Sequence, residues 1–257
     1  MTNPHGTPIW YELMTSDPEA IRPFYEQVVG WSAVPYANDT LAETGGYTVF
    51  NAPDGQGVAG LMKVPEPGPA PGWYGYIGVD DVDAAAAKLA AAGGAVHMPP
   101  TDLEGVGRMA MVTDPQGVAF YLMRGASPEA STAFQRMAMG HGEWNELQTS
   151  DDQAALAFYG DQFGWKKDGA MPMGEMGDYS FLSHDGGIIG AVMKAPPGTR
   201  PGWNYFFRVG SIEEAKRRIE GGGGAVVQGP MEVPGGDWVI YASDPQGAKF
   251  GVVGTKG

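Results

Sequence analysis

The sequence of 257 residues has no cysteine, few basic residues and only four histidines. The absence of cysteine excludes disulfide bonds, thiolate metal ligands and a cysteine nucleophile. Lysine and arginine number 16 against 30 aspartates and glutamates, so the formal net charge is −14. This balance leaves no basic footprint for nucleic acid or for an anionic membrane. We interpret the acidity mainly as a source of solubility.

Long apolar runs are also missing. No stretch approaches the roughly 18 residues that a membrane-spanning helix needs, so no membrane partner is expected. Residues 1–8 have neither a basic start nor an apolar stretch, which argues against a secretion signal and favours a cytoplasmic location. The 43% of hydrophobic residues nevertheless suit a packed globular core.

What the sequence does contain is an internal repeat. Residues 10–17 (WYELMTSD) are echoed by residues 144–151 (WNELQTSD), an offset of 134 (144 − 10). Later landmarks recur at an offset of 130, such as the Asp-Pro-Gln-Gly segments that begin at Asp114 and Asp244. A repeat of this length indicates two structural copies in tandem. We predict a first copy, a linker and a second copy at residues 1–124, 125–140 and 141–257.

Each copy has the same order of predicted elements. A strand ends at a Ser-Asp pair typical of a helix N-cap, and Pro18 follows Asp17 at the first helical position. The helix ends at Gly30. Two strands and a Pro/Gly connector follow, the connector at residues 65–71 in the first copy. The copy ends with a further strand, a second helix, which is alanine-rich in the first copy, and a hairpin with an Asp-Pro-Gln-Gly turn. Split at the connector, each copy is predicted to contain two βαββ-like units.

Several of these features together resemble one known family. Phe24-Tyr25 in the first helix, Gly30-Trp31 after it, the Val-Asp-Asp-Val-Asp helix start and the Asp-Pro-x-Gly hairpin are similar to the glyoxalase/bleomycin resistance protein/dioxygenase (vicinal oxygen chelate) superfamily. Residues 6–10, Gly-Thr-Pro-Ile-Trp, resemble its tandem two-module members of the CFP30B antigen and hydroxylase type. The resemblance implies an α+β fold of two tandem glyoxalase-like modules of paired βαβββ units. It also implies curved mixed sheets with helices on the convex side and a ligand cavity on the concave side.

The resemblance further implies three metal-ligand positions in each copy, usually His, Gln or Glu. In this sequence they fall on Trp10, Tyr74, Tyr121, Trp144, Asn204 and Gly251. Trp and Gly side chains cannot ligate a metal, and a neutral Tyr or Asn is a poor ligand for divalent Fe, Ni or Zn. We therefore predict no cofactor, with a divalent metal as the disfavoured alternative. A metal held by His141, Glu143 and Glu146 is disfavoured because residues 143 and 146 point to opposite faces of a strand.

Strand alternation predicts which side chains line each cavity. We expect an aromatic-walled cup in the first copy and a more polar cup in the second. The ligand-binding candidates are Trp10, Met14, Tyr74, Tyr76, Tyr121, Trp144, Gln148, Asn204, Phe206, Arg208 and Lys249. Glu12 and Glu146 recur at one concave position and are the candidate catalytic residues, as a general base or a ligand anchor.

Less specific interpretations of the same residues stay open. Either glutamate could form a salt bridge, for instance Glu146 with Arg208, or lie solvated at the rim. Trp10 and Trp144 could stack on an aromatic or cationic ligand, or they could fill the space that a metal site has vacated.

The sequence leaves three functions open. The first is a metal-independent binder of a small organic molecule, with sequestration or resistance as its output. The second is an enzyme of lyase, isomerase or hydroxylase type that uses Glu12, Glu146 or an unanticipated metal arrangement. The third is an interaction protein with vestigial cavities. Because two fused copies supply the pairing that single-module relatives obtain by dimerising, we expect a monomer, with a homodimer as the alternative.

Overall fold

The computed structural model describes residues 3–37, 46–66 and 68–257, so the predicted connector at residues 65–71 lies partly outside the described residues. Within these ranges the chain forms four successive βαβββ segments. The first copy contains β1 (Pro8–Thr15), α1 (Pro18–Val29), β2 (Ser32–Pro35), β3 (Tyr47–Asn51), β4 (Gly57–Lys63), β5 (Gly72–Gly78), α2 (Val82–Ala91), β6 (Ala95–Leu103), β7 (Gly107–Thr113) and β8 (Ala119–Gly125). The second copy contains β9 (Gly142–Thr149), α3 (Asp152–Phe163), β10 (Lys166–Pro172), β11 (Asp178–His184), β12 (Gly187–Lys194), β13 (Gly202–Ser211), α4 (Ile212–Gly221), β14 (Ala225–Glu232), β15 (Trp238–Ser243) and β16 (Lys249–Thr255).

The strands form two mixed sheets of eight, one for each copy. Their orders are β2-β3-β4-β1-β5-β8-β7-β6 and β10-β11-β12-β9-β13-β16-β15-β14. The first and last strands of a segment pair in parallel, as β1 does with β4 and β9 with β12. The other neighbours within a segment are antiparallel, as β3 is to β4 and β11 to β12. The predicted α+β fold of two tandem modules with paired βαβββ units is confirmed.

The βαββ pattern expected from the residues alone was wrong by one strand in every segment. The missed strands β2, β6, β10 and β14 lie at the edges of the sheets. Their side chains are mostly exposed, so no alternation of apolar and polar residues marks them in the sequence. An edge strand is stabilised by pairing with its single neighbouring strand, and this pairing cannot be read from the residues of the edge strand alone.

The predicted helix ends are confirmed. Asp17 caps α1 by accepting a hydrogen bond from the backbone N–H of Ala20 at 3.1 Å, and Gly30 ends the helix with φ +86°. Asp151 and Gly164 do the same for α3. A left-handed residue at the end of a helix favours glycine, which has no Cβ to clash. In the described part of the chain, no helix is long and apolar enough to cross a membrane.

The chain divides into two compact units that do not follow the repeat. Unit 1 consists of the chain up to Ile9, Tyr74–Ser131 and Trp144–Trp203. Unit 2 consists of Trp10–Trp73, Thr132–Glu143 and Asn204–Gly257. Each unit therefore combines one βαβββ segment from each copy. The linker at residues 125–140 is the predicted boundary between the two copies of the repeat, and this boundary stays a prediction.

A buried tyrosine–aspartate pair joins the two segments of each unit. In unit 2 the Tyr25 hydroxyl donates to Asp244 Oδ2 at 2.9 Å and accepts the indole N–H of Trp73 at 2.9 Å. In unit 1 the Tyr159 hydroxyl donates to Asp114 Oδ2 at 3.2 Å. Each tyrosine lies on the first helix of one copy, and each aspartate begins the Asp-Pro-Gln-Gly turn of the other copy. The repeated motif therefore holds a segment of the opposite copy in place.

The glutamine of the same turn binds the end of a first strand and the start of its helix. In unit 2, Gln246 Oε1 accepts from the Thr15 hydroxyl at 2.7 Å, the Ser16 hydroxyl at 2.6 Å and the Asp17 backbone N–H at 3.0 Å. Its amide N–H donates to the Asp17 carbonyl oxygen at 2.7 Å. Gln116 makes the matching backbone bonds in unit 1. The Ser-Asp and Asp-Pro-Gln-Gly motifs thus recur because they bind one another.

The turn aspartates predict a pH dependence of stability. Burial raises the pKa of Asp114 and of Asp244, and hydrogen bonds from the turn N–H groups partly offset this. Because the folded pKa lies above the unfolded pKa, the stabilisation is fully present below the unfolded pKa and is lost as the pH rises through the folded pKa. We expect the wild type to gain stability relative to the Asp114→Asn, Asp244→Asn double variant as the pH falls from about 7 to about 4. Urea unfolding at both pH values measures this difference, and a constant or opposite difference would contradict it.

Candidate functional site

A buried carboxylate lies on β9, at Glu146, with 0% of the residue exposed. The Tyr179 hydroxyl, from β11, donates to Glu146 Oε2 at 2.8 Å. The side-chain N–H of Gln148 donates to Glu146 Oε1 at 2.9 Å. The indole N–H of Trp144 donates to the Tyr179 hydroxyl oxygen at 2.8 Å. In unit 1 the structure therefore brings three predicted residues, Trp144, Glu146 and Gln148, into one hydrogen-bonded network.

This network fits a carboxylate that is removed from water. A buried carboxylate is costly unless donors compensate for the lost hydration, and here a phenol and an amide supply them. Glu146 is therefore no solvated rim residue, and the rim interpretation is wrong for Glu12 as well, which is 4% exposed. Trp144, Gln148 and Tyr179 retain partial exposure, so the accessible polar groups are those around the carboxylate. The arrangement can hold a proton between the phenol and the carboxylate and present an amide beside it.

Aromatic side chains adjoin the same network. Phe181 on β11 meets the Trp144 ring edge-on, with ring centroids 6.1 Å apart. It also meets the Tyr179 ring edge-on at 5.9 Å. Edge-to-face pairs at these distances are favourable packing geometries. The face of β9 and β11 is therefore aromatic around a small polar centre.

The first copy builds a related but less polar arrangement, in unit 2. The indole N–H of Trp10 donates to the Tyr47 hydroxyl oxygen at 3.0 Å, as Trp144 does to Tyr179. Glu12 takes the place of Glu146 on its strand. Met14, buried at 3% exposure, stands where the second copy has Gln148. A thioether cannot donate a hydrogen bond, so Met14 cannot play the part that Gln148 plays toward the carboxylate in the second copy.

Sequence reasoning missed the two tyrosines, Tyr47 and Tyr179. Both were available from the repeat, since Tyr47-Thr-Val-Phe and Tyr179-Ser-Phe-Leu match at an offset of 132 (179 − 47). The resemblance placed metal ligands on other strands, and the prediction of the cavity lining followed those strands alone. Neither β3 nor β11 carries an implied ligand position, so both tyrosines fell outside the predicted lining.

The predicted aromatic group of β5 and β8 is brought together within unit 1. The rings of Tyr76 and Tyr121 stack face to face, 4.4 Å apart and 8° from parallel. Tyr74 meets Tyr121 edge-on at 6.2 Å. Burial raises the pKa of Tyr74, so its phenol keeps its proton at neutral pH and can act as a hydrogen-bond donor.

The corresponding candidates of the second copy lie in unit 2 and differ in kind. Gly251 stands where the first copy has Tyr121, and the Phe206 ring lies directly over it. The Arg208 guanidinium forms a two-pronged ion pair with Asp237, with Nη2–Oδ1 at 3.0 Å. Asn204 is buried, whereas Lys249 is exposed at the start of β16. The charge of Arg208 is therefore balanced by a neighbour on the loop before β15.

In each copy the predicted lining divides between the two units. Trp10, Glu12 and Met14 belong to unit 2, and Tyr74, Tyr76 and Tyr121 to unit 1. The second copy divides in the opposite sense, with Trp144, Glu146 and Gln148 in unit 1 and Asn204, Phe206, Arg208 and Lys249 in unit 2. A joint cup for each copy stays a prediction.

The side chains at the implied metal-ligand positions do not suit a divalent metal. The indole nitrogens of Trp10 and Trp144 are donors to Tyr47 and Tyr179, and an indole N–H has no lone pair for a metal. Gly251 has no side chain. Among the described residues, no three His, Cys, Asp or Glu side chains are grouped so that they could hold a metal ion.

His141 and Glu143 hold the backbone of the segment that precedes β9. One ring nitrogen of His141 lies 2.6 Å from the Thr132 carbonyl oxygen, and the other lies 3.1 Å from Asp54 Oδ2. Glu143 accepts the Met137 backbone N–H at 2.6 Å. These contacts account for the two side chains structurally and leave Glu146 in a separate network.

A comparison of the sequence with known families agrees with this fold of paired βαβββ segments, in which β1 pairs with β4 and β9 with β12 in parallel. Residues 8–122 and 139–252 match the family model described as Glyoxalase/Bleomycin resistance protein/Dioxygenase superfamily. The chain belongs to this superfamily. The two matched ranges correspond to the two copies of the repeat.

Relatives in this superfamily match nearly the full chain. The chain is 33% identical over 252 residues to the Mycobacterium bovis protein named "Putative glyoxylase CFP32", covering 96% of this chain and 94% of that protein. It is 32% identical over 269 residues to the anthracycline biosynthesis protein DnrV of Streptomyces peucetius, covering 96% and 93%.

Two solved structures share the fold. One is the Mn(II)-bound glyoxalase from Novosphingobium aromaticivorans, with a TM-score of 0.67 and 20% identity, covering 97% of this chain and 82% of that chain. The other is the 2,3-dioxygenase LapB from Pseudomonas sp. KL28, with a TM-score of 0.67 and 17% identity, covering 99% and 94%. At these identities the likeness concerns the fold, and the chemistry is decided by the side chains of this chain.

Proposed function

We propose that the chain binds a small organic molecule on the face of β9 and β11 in unit 1, without a divalent metal. Trp144, Gln148 and Tyr179 make the contacts with the ligand. The observation that carries the proposal is the fully buried Glu146, hydrogen-bonded to both Tyr179 and Gln148. An apolar residue at position 146 would stabilise the fold more simply, because a buried carboxylate brings a desolvation cost. A role in recognition accounts for its presence.

Glu146 acts in this proposal through its neighbours. Since the carboxylate itself is fully buried, it meets a ligand only by way of the partly exposed Tyr179 and Gln148. Its two oxygens fix the direction of the phenolic proton and of one amide N–H. We therefore reassign Glu146 from the predicted general base to a positioning residue for Tyr179 and Gln148.

The side chains around the network indicate the class of ligand. Trp144 and Phe181 offer aromatic faces and edges, which favour a ligand with an aromatic ring. Tyr179 and Gln148 favour a polar substituent on that ring, such as a hydroxyl or a carbonyl group. The relative DnrV is named for anthracycline biosynthesis, and a substituted aromatic ligand agrees with that name.

A second candidate function is proton transfer, as in a lyase or isomerase. The Tyr179–Glu146 hydrogen bond favours it, because a phenol that passes its proton to a buried carboxylate can take one from a bound substrate. The two functions differ in turnover: a binder leaves a bound carbonyl compound unchanged, whereas an enzyme exchanges or rearranges its α-protons.

The proposal predicts a loss of affinity in Tyr179→Phe. Removing the hydroxyl removes one hydrogen bond to the ligand, so we expect the Kd for a hydroxylated aromatic probe to rise about tenfold. Tryptophan fluorescence titrations with 2-naphthol and 1,8-dihydroxyanthraquinone measure it. Tyr36→Phe, at an exposed tyrosine, is the matched control and should bind like the wild type. Equal affinity in Tyr179→Phe would overturn the proposed site. No saturable response of the wild type to either probe would overturn it as well and would favour the interaction-protein alternative.

A further inference from the structure

Unit 1 contains a polar cavity of about 630 Å³ at the end of α3. Its wall consists of the last turn of α3, the start of β10 and the turn between β11 and β12, together with the side chains of His5 and Lys88. The four residues of the Glu146 network are not among those that line it. Small-molecule sites commonly have volumes of roughly 300–1,000 Å³, so this cavity is large enough for a second ligand.

Two basic side chains of the wall bind the end of α3. Lys88 Nζ lies 3.3 Å from Asp161 Oδ2 and also donates to the Asp161 carbonyl oxygen. His5 Nε2 lies 3.0 Å from the Gln162 carbonyl oxygen, and His5 Nδ1 accepts the Asp80 backbone N–H at 3.4 Å. The last carbonyl oxygens of a helix lack partners within the helix, so these two side chains cap α3. The charges of Lys88 and Asp161 balance each other.

Two further charged side chains of the wall, Lys166 and Asp185, form no ion pair with any described residue. The neighbouring Lys167 differs, because its Nζ lies 3.3 Å from Asp178 Oδ2. Lys166 stands opposite Ser183 in the register of β10 and β11, and Asp185 lies in the turn that follows β11. The lysine–aspartate pair at the end of α3 is neutral, so the wall offers a ligand one unpaired cation and one unpaired anion.

His184 adds a hydrogen-bond acceptor to the same wall. Its Nε2 lies 3.4 Å from the Thr7 hydroxyl oxygen, and that hydroxyl donates its one proton to the Pro4 carbonyl oxygen at 2.8 Å. Nε2 must therefore carry the ring proton, which leaves the lone pair of the neutral ring on Nδ1. Among the described residues, no donor reaches Nδ1. Burial lowers the pKa of His184, which Asp185 partly offsets and His5 reinforces, so the ring is neutral at pH 7.

We propose that this cavity binds a small zwitterion, a molecule with one carboxylate and one ammonium group such as an amino acid. Lys166 meets the carboxylate, while Asp185 and the Nδ1 lone pair of His184 meet the ammonium group. A ligand with a single charge would be attracted by one of the two unpaired charges and repelled by the other, whereas a zwitterion is attracted by both. This site shares no residue with that of the aromatic ligand and is a second binding function of unit 1.

Probes with both charges or with only one test the ligand class. Glycine and 4-aminobutyrate carry both charges at a short and a long spacing, whereas acetate and methylammonium carry one each. Proton–carbon correlation spectra of the imidazole groups at pH 7 should show a saturable shift of the His184 signals with one of the zwitterions, at a Kd on the order of 1 mM. Acetate and methylammonium should bind at least about tenfold more weakly. Equal binding of either, or no shift with either zwitterion, would overturn the proposal.

Two neutral variants test which side chain meets each end of the ligand. Lys166→Met and Asp185→Asn should each raise the Kd for the zwitterion about tenfold. Asparagine also adopts the left-handed backbone of residue 185, φ +47°, so this substitution preserves the turn. Lys167→Met is the matched control, because Lys167 pairs with Asp178 and does not line the cavity, and it should bind like the wild type. An unchanged Kd in Lys166→Met or in Asp185→Asn would overturn the proposal, as would an equal loss in Lys167→Met.

Discussion

Glu146→Gln should weaken binding of 2-naphthol about a hundredfold, roughly 2.7 kcal/mol. The carboxylate accepts from Tyr179 through one oxygen and from Gln148 through the other. A glutamine at position 146 keeps one acceptor and introduces an N–H donor that faces the donor of a neighbour. The hydroxyl or the amide must then turn away, and both contacts with the ligand lose their preset direction. Fluorescence titration measures the affinity, with circular dichroism to confirm the fold.

Glu12→Gln is the matched control for this substitution. It makes the same chemical change at the same strand position in the copy that has Met14 in place of Gln148. We expect its affinity for the probe to stay within about twofold of the wild type, which is a few tenths of a kcal/mol. An equal loss in both variants would contradict the assignment of binding to the second-copy network.

Tyr25→Phe should lower the free energy of unfolding by about 2–4 kcal/mol. The Tyr25 hydroxyl is fully buried, donates to Asp244 and accepts the indole N–H of Trp73. Removing one oxygen therefore breaks two buried hydrogen bonds and leaves Trp73 Nε1 without this acceptor. Burial raises the pKa of Tyr25 far above neutral pH, so the loss concerns a neutral hydroxyl. Urea unfolding measures the change.

The control for this loss is Tyr36→Phe, which removes a hydroxyl from an exposed tyrosine. Its free energy of unfolding should stay within about 0.5 kcal/mol of the wild type, as for most surface substitutions. A loss below about 1 kcal/mol in Tyr25→Phe would mean that the Tyr25–Asp244 bond does not hold the two segments of unit 2 together.

Local rules predicted the elements that depend on local chemistry. Asp17 and Asp151 cap their helices, and Gly30 and Gly164 end them, because each of these roles is decided within a few residues of chain. The same signals recur at fixed offsets along the sequence, and this recurrence predicted two copies in tandem. Family resemblance then supplied the paired βαβββ segments.

Features that depend on contacts distant in sequence were not predictable in this way. The edge strand β10 is mostly exposed and has no apolar pattern, so only its neighbour β11 reveals it. The partners of Gln246, at Thr15 and Asp17, lie about 230 residues away. Nothing near Gln246 in the sequence indicates that one copy binds the other.

The candidate site shows the same division. Alternation along β9 placed Trp144, Glu146 and Gln148 on one face, and the structure joins them. Alternation along β9 could not supply Tyr179, which lies on β11, 33 residues beyond Glu146 in the sequence.

Titration of chelator-treated protein with 2-naphthol tests the central claim most directly. Wild type and Glu146→Gln are dialysed against EDTA, checked for metal content and titrated in the presence of the chelator. We expect a saturable change in tryptophan fluorescence in the wild type, with one probe bound per chain, and a loss of about a hundredfold in affinity in the variant. Binding that returns only on addition of a divalent metal, or that is unaffected by Glu146→Gln, would contradict the account.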